Sequence, residues 1–393
     1  MLLDATVACA RGWRLESDRM VGLILGLGAL YVTLVLSLLT TRRTRAFLAR
    51  APQLLAFGLS ILIGLLTAEL MVLFVWPQGS YHCRPPEAVY TFDPDPYTFP
   101  GVSGEARSTI CNRGFRAPPL PPRSAATRVL CVGGSTTECL MLDDSESWPA
   151  RVAAALDKAG RHYWIGAAGH CDNATGHHLR FIKNSRQIAE VDCLVVLAGA
   201  GDYVRGLLQL ESGEYAPPLF VQSHLMMVAK TIWNVQLGRG FLIDRTGREW
   251  LALRRHLPID PQALDLDDYL IDYEGRLREI VSAARRRGKR LILVTQPVLW
   301  DDFLNPAALQ QMHIARDYVN PRGSGTLTPA ECLEVMDRFN AVMLRVAEET
   351  GTEIVDAAVA MNGVEKYFYD DFHLNEAGCQ ALGNLVASQI EGK

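Results

Sequence analysis

The sequence predicts an α/β layered domain, a parallel sheet covered on both faces by helices, behind an apolar leading segment. Three observations predict it. Short, mostly apolar runs of four to seven residues alternate with longer stretches whose apolar positions recur at helical spacing. That strand-loop-helix rhythm repeats from about residue 128 to the end of the chain. The excess hydrophobicity, by contrast, is concentrated before residue 78.

Composition bounds the function classes. With 393 residues, 49% of them hydrophobic and only 21% charged, the chain lies outside the disordered regime and can bury a sizeable core. A net charge of -4 without a basic stripe gives no electrostatic reason to bind a polyanion, so nucleic acid is not expected as a partner.

After a tail over 1–19, a hairpin of two membrane spans is expected over 20–77. The run from Met20 to Thr41 carries no charge and, at 1.5 Å per residue, spans about 33 Å. A second run, about 53–76, holds a single ionisable group, Glu69, and ends in Trp76 and Pro77. Glu69 lies in the last third of its run, where a protonated or hydrogen-bonded carboxyl near the interface accounts for it. The loop between the runs carries Arg42, Arg43, Arg45 and Arg50 without an acid, which favours a cytoplasmic loop and an extracytoplasmic body.

From 78 to 126 the chain is rich in Pro and turn residues and reads as an extended connector. The layered domain then occupies 127–393. Its strands are expected at Arg128–Gly134, in His162–Gly169, in Asp192–Ala198 and before Gln296, and its last helix over Asn375–Ile390. Two intervals break the rhythm, about 203–261 and 299–330. Both leave strand ends, where an open sheet places its ligand crevice, so they are candidate lid or substrate-binding insertions.

Nine cysteines contain no C-x-x-C pair. In an extracytoplasmic domain Cys83 and Cys111 can pair, while Cys131 and Cys193 in apolar runs read as small buried hydrophobes.

Two local patterns carry chemistry. The first strand ends in Gly133-Gly134-Ser135-Thr136, which places a serine hydroxyl at the carboxyl edge of the sheet and its amide at a helix start. Such a turn also suits a phosphate or a plain helix cap. Near the other end stands Asp370-Asp371-Phe372-His373. In D-x-x-H the acid and the imidazole lie one turn apart, so Asp370 can hold one ring nitrogen while the other takes a proton from a serine. A surface histidine beside two acids has the same spelling.

Together, from about Asn112 to the C-terminus, these blocks resemble the SGNH/GDSL hydrolases, esterases and acyl-transfer enzymes on a flavodoxin-like three-layer sandwich. The resemblance makes Ser135 the nucleophile, His373 the base and Asp370 its orienter. Ala167-Ala168-Gly169 matches the segment whose glycine amide joins that of Ser135 in the oxyanion hole. Gly199-Ala200-Gly201-Asp202 stands where the family has G-x-N-D. The segments Asn112–Arg116 and Glu146–Pro149 resemble a membrane-anchored bacterial branch of the family.

One position departs from the pattern. The family's third oxyanion donor is an Asn side chain, and here that place is held by Gly201. Losing one such donor costs about 10² to 10³ in turnover. A water or another donor such as Asn173 fills the gap, or the enzyme is slow or takes a different substrate geometry, or the fold persists without catalysis. If the hole is merely incomplete, Gly201→Asn is expected to raise activity. Asn173 and Asp202 are the substrate-binding candidates beside it.

Gly169-His170-Cys171-Asp172-Asn173 with His177 and His178 lacks a four-ligand spacing, so neither metal nor cofactor is expected. Arg285, Arg286, Arg287 and Lys289 suit a helix C-terminus before a strand. The function these readings imply is a membrane-tethered serine esterase or acyltransferase acting on O-acyl, typically acetyl, esters of an envelope glycan, with the body on the periplasmic side of a bacterial inner membrane. Its partners would be the ester substrate, the bilayer and members of a membrane complex. The alternative is a catalytically silent glycan-binding or assembly subunit that keeps the fold.

Overall fold

The computed structural model describes residues 51–75, with side chains over 56–71, and residues 88–160, 162–171, 173–207, 266–301, 304–305, 308, 312 and 328–392. The first of these stretches and the rest belong to two separate compact units.

The first unit contributes α1 (Ala51–Val75), a continuous helix on which Leu59, Ile61, Leu62, Leu65 and Leu66 are exposed. Among the described residues no helix is long and apolar enough to cross a membrane. The expected hairpin is therefore not carried by the structure, and its first run, 20–41, lies outside the described residues.

The second unit opens with a short antiparallel pair, β1 (Val89–Phe92) and β2 (Ala106–Thr109). Residues 88–126 are thus more regular than a Pro-rich connector suggests. The sheet and its helices follow: β3 (Thr127–Gly133), α2 (Ser135–Glu138), α3 (Trp148–Lys158), β4 (Tyr163–Gly169), α4 (Thr175–Asn184), β5 (Cys193–Leu197) and α5 (Ala200–Leu207). After the undescribed 208–265 come α6 (Asp267–Arg286), β6 (Arg290–Val294), α7 (Pro329–Thr350), β7 (Glu353–Val355), α8 (Ala357–Met361) and α9 (Glu376–Glu391).

The five strands β3 to β7 are all parallel, in the order β4-β3-β5-β6-β7. Their apolar runs are buried on both faces: Val129, Leu130, Cys131 and Val132 in β3, Leu194 to Leu197 in β5. Parallel crossovers are right-handed. The step from β3 out to β4 therefore puts α3 on one face, and the reversed steps from β4 to β7 put α4, α6 and α7 on the other. The packing agrees, with α9 against α3 and α6 against both α4 and α7. The order is that of a flavodoxin-like three-layer sandwich. It also fixes the site: the chain reverses between β3 and β5, and a crevice opens at the carboxyl ends of these neighbours.

Arg116 ties the segment before β3 to this edge. Its backbone exchanges two 3.0 Å hydrogen bonds with Ala167, covering part of edge strand β4. Its buried guanidinium donates to the carbonyls of Glu138, Cys139, Leu142 and Arg107 and to the Asp144 carboxylate. This side chain thus binds three carbonyls of the chain at and after the end of α2.

Candidate active site

Ser135 is the first residue of α2, directly after Gly133, which ends β3, and Gly134, which caps the helix. As a first-turn residue its N–H has no acceptor within the helix. The turn is tight: a β-carbon on Gly133 would lie 2.1 Å from the Thr137 hydroxyl, and one on Gly169 would lie 2.2 Å from the Glu138 nitrogen. Glycine at 169 thus lets the backbone of α2 rest on the end of β4. Trp148, fully buried at the start of α3, fixes α2 from its other side by donating its indole N–H to the Thr136 carbonyl at 3.2 Å.

Asp370 and His373 come from the loop between α8 and α9. An antiparallel bridge between Phe368 and Leu374 closes that loop, together with a 3.1 Å bond from the Tyr369 N–H to the His373 carbonyl. Inside it the Asp370 carboxylate accepts the backbone N–H groups of Phe372 and His373 at 3.1 and 2.8 Å. The four-residue spacing of D-x-x-H is what allows one carboxylate to bind both backbone and ring of the same turn. Asn375 ends the loop by capping α9, accepting from the Gly378 N–H at 3.1 Å.

The two segments meet. His373 Nε2 lies 2.8 Å from Ser135 Oγ, and His373 Nδ1 lies 2.7 and 2.9 Å from the two Asp370 oxygens. Asp370 is fully buried, His373 nearly so, and Ser135 half-buried at the open end of the chain of bonds. Tyr369 stacks parallel to the imidazole at 5.5 Å, and Phe372 packs on it at 4.8 Å. The neighbouring acid, Asp371, is buried too, and accepts the Trp300 indole N–H at 3.0 Å. It therefore serves the loop's anchorage, while Asp370 binds the histidine. Such an arrangement can move a proton from a hydroxyl to an imidazole whose cation the buried carboxylate stabilises.

Gly169 ends β4 in register with Gly133 at the end of β3. Glu138, buried in α2, binds the loop beyond it by accepting the Cys171 N–H at 2.8 Å; nothing in the sequence pattern marks this partner. Asn173 is 2% exposed, and its carbonyl oxygen packs 3.0 Å from where a β-carbon on Gly134 would stand and 2.2 Å from where one on Gly201 would stand. A side chain at 201 would therefore meet backbone that already fills the space.

Asp202 is corrected. It is fully buried rather than open to substrate, and its carboxylate accepts the Thr175 N–H at 2.9 Å and hydroxyl at 2.6 Å. Burial raises its pKa, opposed by the Arg276 guanidinium and by the Thr175 bonds. Arg276 in turn donates to the Thr175 hydroxyl at 2.8 Å. This cluster fastens the start of α4 to α5 and α6.

His177 and His178 lie in the first turn of α4, and both are buried. His177 Nδ1 accepts the Ala174 N–H at 3.1 Å, closing the helix start. Burial lowers the two imidazoles to about 4 and about 3. They are neutral structural groups. Among the described residues no cluster of His, Cys, Asp or Glu could hold a metal ion. Of the cysteines, Cys111, Cys131 and Cys193 are buried free thiols, and Cys83 lies outside the described residues.

The GDSL-like Lipase/Acylhydrolase family model matches residues 131–381. No curated protein sequence matches the chain. Among solved structures, an acetylxylan esterase from Geobacillus stearothermophilus is 17% identical, covering 68% of this chain and 95% of its own, with a TM-score of 0.38. LAE5, an α/β hydrolase from the metagenome of Lake Arreo, is 16% identical over 67% of this chain and 96% of its own, with a TM-score of 0.37. A GDSL-like lipase from Bacteroides thetaiotaomicron is 13% identical over 70% of this chain and 92% of its own, with a TM-score of 0.39. The family match spans well over half of the sequence and contains the serine turn, the glycine that ends β4 and the Asp-x-x-His loop, so the chain belongs to the GDSL-like lipase/acylhydrolase family.

Proposed function

We propose that this chain is a serine ester hydrolase or O-acyltransferase. The observation that carries the reading is the unbroken series of hydrogen bonds from Asp370 through His373 to Ser135. Ser135 Oγ attacks the ester carbonyl as His373 Nε2 takes its proton. Asp370 holds Nδ1, fixing the tautomer and stabilising the imidazolium. The amides of Ser135 and Gly169 face the developing oxyanion, and the protonated His373 then delivers its proton to the departing alkoxide. Water or a sugar hydroxyl, deprotonated by the same imidazole, takes the acyl group from Ser135. To the side-chain amide of Asn173 we assign the third oxyanion donor, a residue of the loop whose backbone packs on Gly201.

The substrate class we assign is an O-acyl ester, typically acetyl, of an envelope glycan or similar surface molecule. Support comes from the two apolar runs, 20–41 and 53–76, which suit a membrane tether, and from the segments Asn112–Arg116 and Glu146–Pro149, which resemble the membrane-anchored branch. The arginines between the runs favour an extracytoplasmic body at a bacterial inner membrane. Gly201 favours a second reading, a glycan-binding or assembly subunit without catalysis. Acetate release from O-acetylated glycans separates the two. Wild type should release acetate and Ser135→Ala should not; equal inactivity of both proteins on every acetylated glycan and on a simple acetyl ester would favour the second reading.

A further inference from the structure

Two buried thiols outside the proposed proton path lie close to each other. Cys139 caps the C-terminal end of α2, four positions after Ser135, and Cys379 lies in the first turn of α9, six positions after His373. Their Sγ atoms are 4.0 Å apart, with 6% and 0% of the two residues exposed.

The backbone around Cys139 is unusual. At φ 50 it is the one non-glycine residue with positive φ among the described residues. A β-carbon disfavours that conformation, and glycine is the ordinary residue there. The left-handed turn carries the thiol to the Thr136 carbonyl, 3.2 Å away, and to Cys379. The two segments are held in place independently of the thiols, Cys139 by the Arg116 guanidinium on its carbonyl at 2.7 Å and Cys379 by its N–H on the Asn375 carbonyl at 2.8 Å.

We propose that Cys139 and Cys379 are a disulfide-forming pair, closed by a low-molecular-weight or protein disulfide donor into a covalent strap between the segment bearing Ser135 and the segment bearing Asp370 and His373. The sulfurs need to approach by only about 2 Å, from 4.0 Å to a bond of about 2.05 Å. The Cys139 thiolate attacks one sulfur of the donor, forming a mixed disulfide and expelling one donor thiolate. The Cys379 thiolate then attacks the Cys139 sulfur and expels the second. Two protein thiols are oxidised, one donor disulfide is reduced to two thiols, and the two protons pass to the departing thiolates.

The order follows from the surroundings. The hydrogen bond shared with Cys379 holds the Cys139 thiol below its ordinary value in spite of burial, with help from Arg116, whereas burial pushes the Cys379 thiol well up. Because the strap joins segments that already meet at the 2.8 Å Ser135–His373 bond, it holds the site together rather than closing it.

The test uses full-length wild type held with glutathione disulfide just below its unfolding midpoint, where buried thiols open transiently. Free thiols are then alkylated in acid, and the protein is digested without reduction for mass spectrometry. The expected product is a pair of peptides joined through Cys139 and Cys379, lighter than their sum by two hydrogens. The thermal midpoint should rise by several degrees over the reduced protein, and Cys379→Ala and Cys379→Ser should show no such rise. Recovery of both residues alkylated, or of Cys139 joined to any cysteine other than Cys379, overturns the proposal. The mass readout is independent of ester hydrolysis, and wild type alone decides it even if the variants fold poorly.

Discussion

The backbone carbonyl of Asn173 lies where a side chain at Gly201 would begin: a β-carbon there would stand 2.2 Å from that oxygen and 2.9 Å from its carbon. Both atoms belong to backbone in a buried loop, so neither can swing aside as the tip of a side chain would.

Gly201→Asn is accordingly expected to damage the protein rather than complete its oxyanion hole. Overpacking of this kind costs about 1–3 kcal/mol. Urea denaturation should show that loss, and ester hydrolysis should fall. A variant as stable as wild type with faster hydrolysis would show that the loop yields and that the glycine was an empty donor position.

Arg116→Ala should destabilise the fold more than an ordinary surface change. The substitution strands the carbonyls of Glu138, Cys139 and Leu142 beside α2 without a donor. A buried unsatisfied polar group costs about 1–3 kcal/mol, so a loss of about 3 kcal/mol or more is expected in denaturant titrations. A loss below about 1 kcal/mol would mean that water or a neighbouring group replaces the guanidinium.

The two buried histidines of α4 predict how the fold responds to acid. In the folded protein they stay neutral down to about 4 and about 3, against an ordinary value of 6.5. Below pH 6.5 the unfolded chain therefore binds more protons, and stability falls as pH falls. Each histidine adds a slope of about 1.4 kcal/mol per pH unit at most, across the window from 6.5 down to its folded value. Denaturation midpoints measured between pH 7 and pH 4 should fall less steeply in His178→Asn than in wild type. Equal slopes would place the acid sensitivity elsewhere.

Whether a feature was readable in the sequence depended on where its partners lie. Ser135 and the pair Asp370 and His373 were legible because each pattern is local. A serine at the end of a glycine-closed strand has one place to go, and D-x-x-H spaces its acid and imidazole one turn apart. The sheet was equally legible, since buried parallel strands are written as uninterrupted apolar runs such as Leu194–Leu197.

Asp202 was not legible. A carboxylate at a helix start can face the crevice or the core, and what turns it inward is Thr175 on another helix and Arg276 on a third. The segment Asn112–Arg116 stood out as a pattern, but the work of its arginine is set by carbonyls more than twenty residues away that only folding brings near. Gly201 signalled a missing donor for the same reason, because the carbonyl that requires a glycine comes from the loop after a neighbouring strand.

Labelling by a fluorophosphonate probe tests the central claim most directly, because it depends on a hydroxyl made nucleophilic by its neighbours and not on the identity of the substrate. Purified wild type should be labelled on Ser135, with Ser135→Ala unlabelled and His373→Ala strongly slowed. Folded wild type that takes up no probe, or takes it up equally when Ser135 is replaced, would contradict the account.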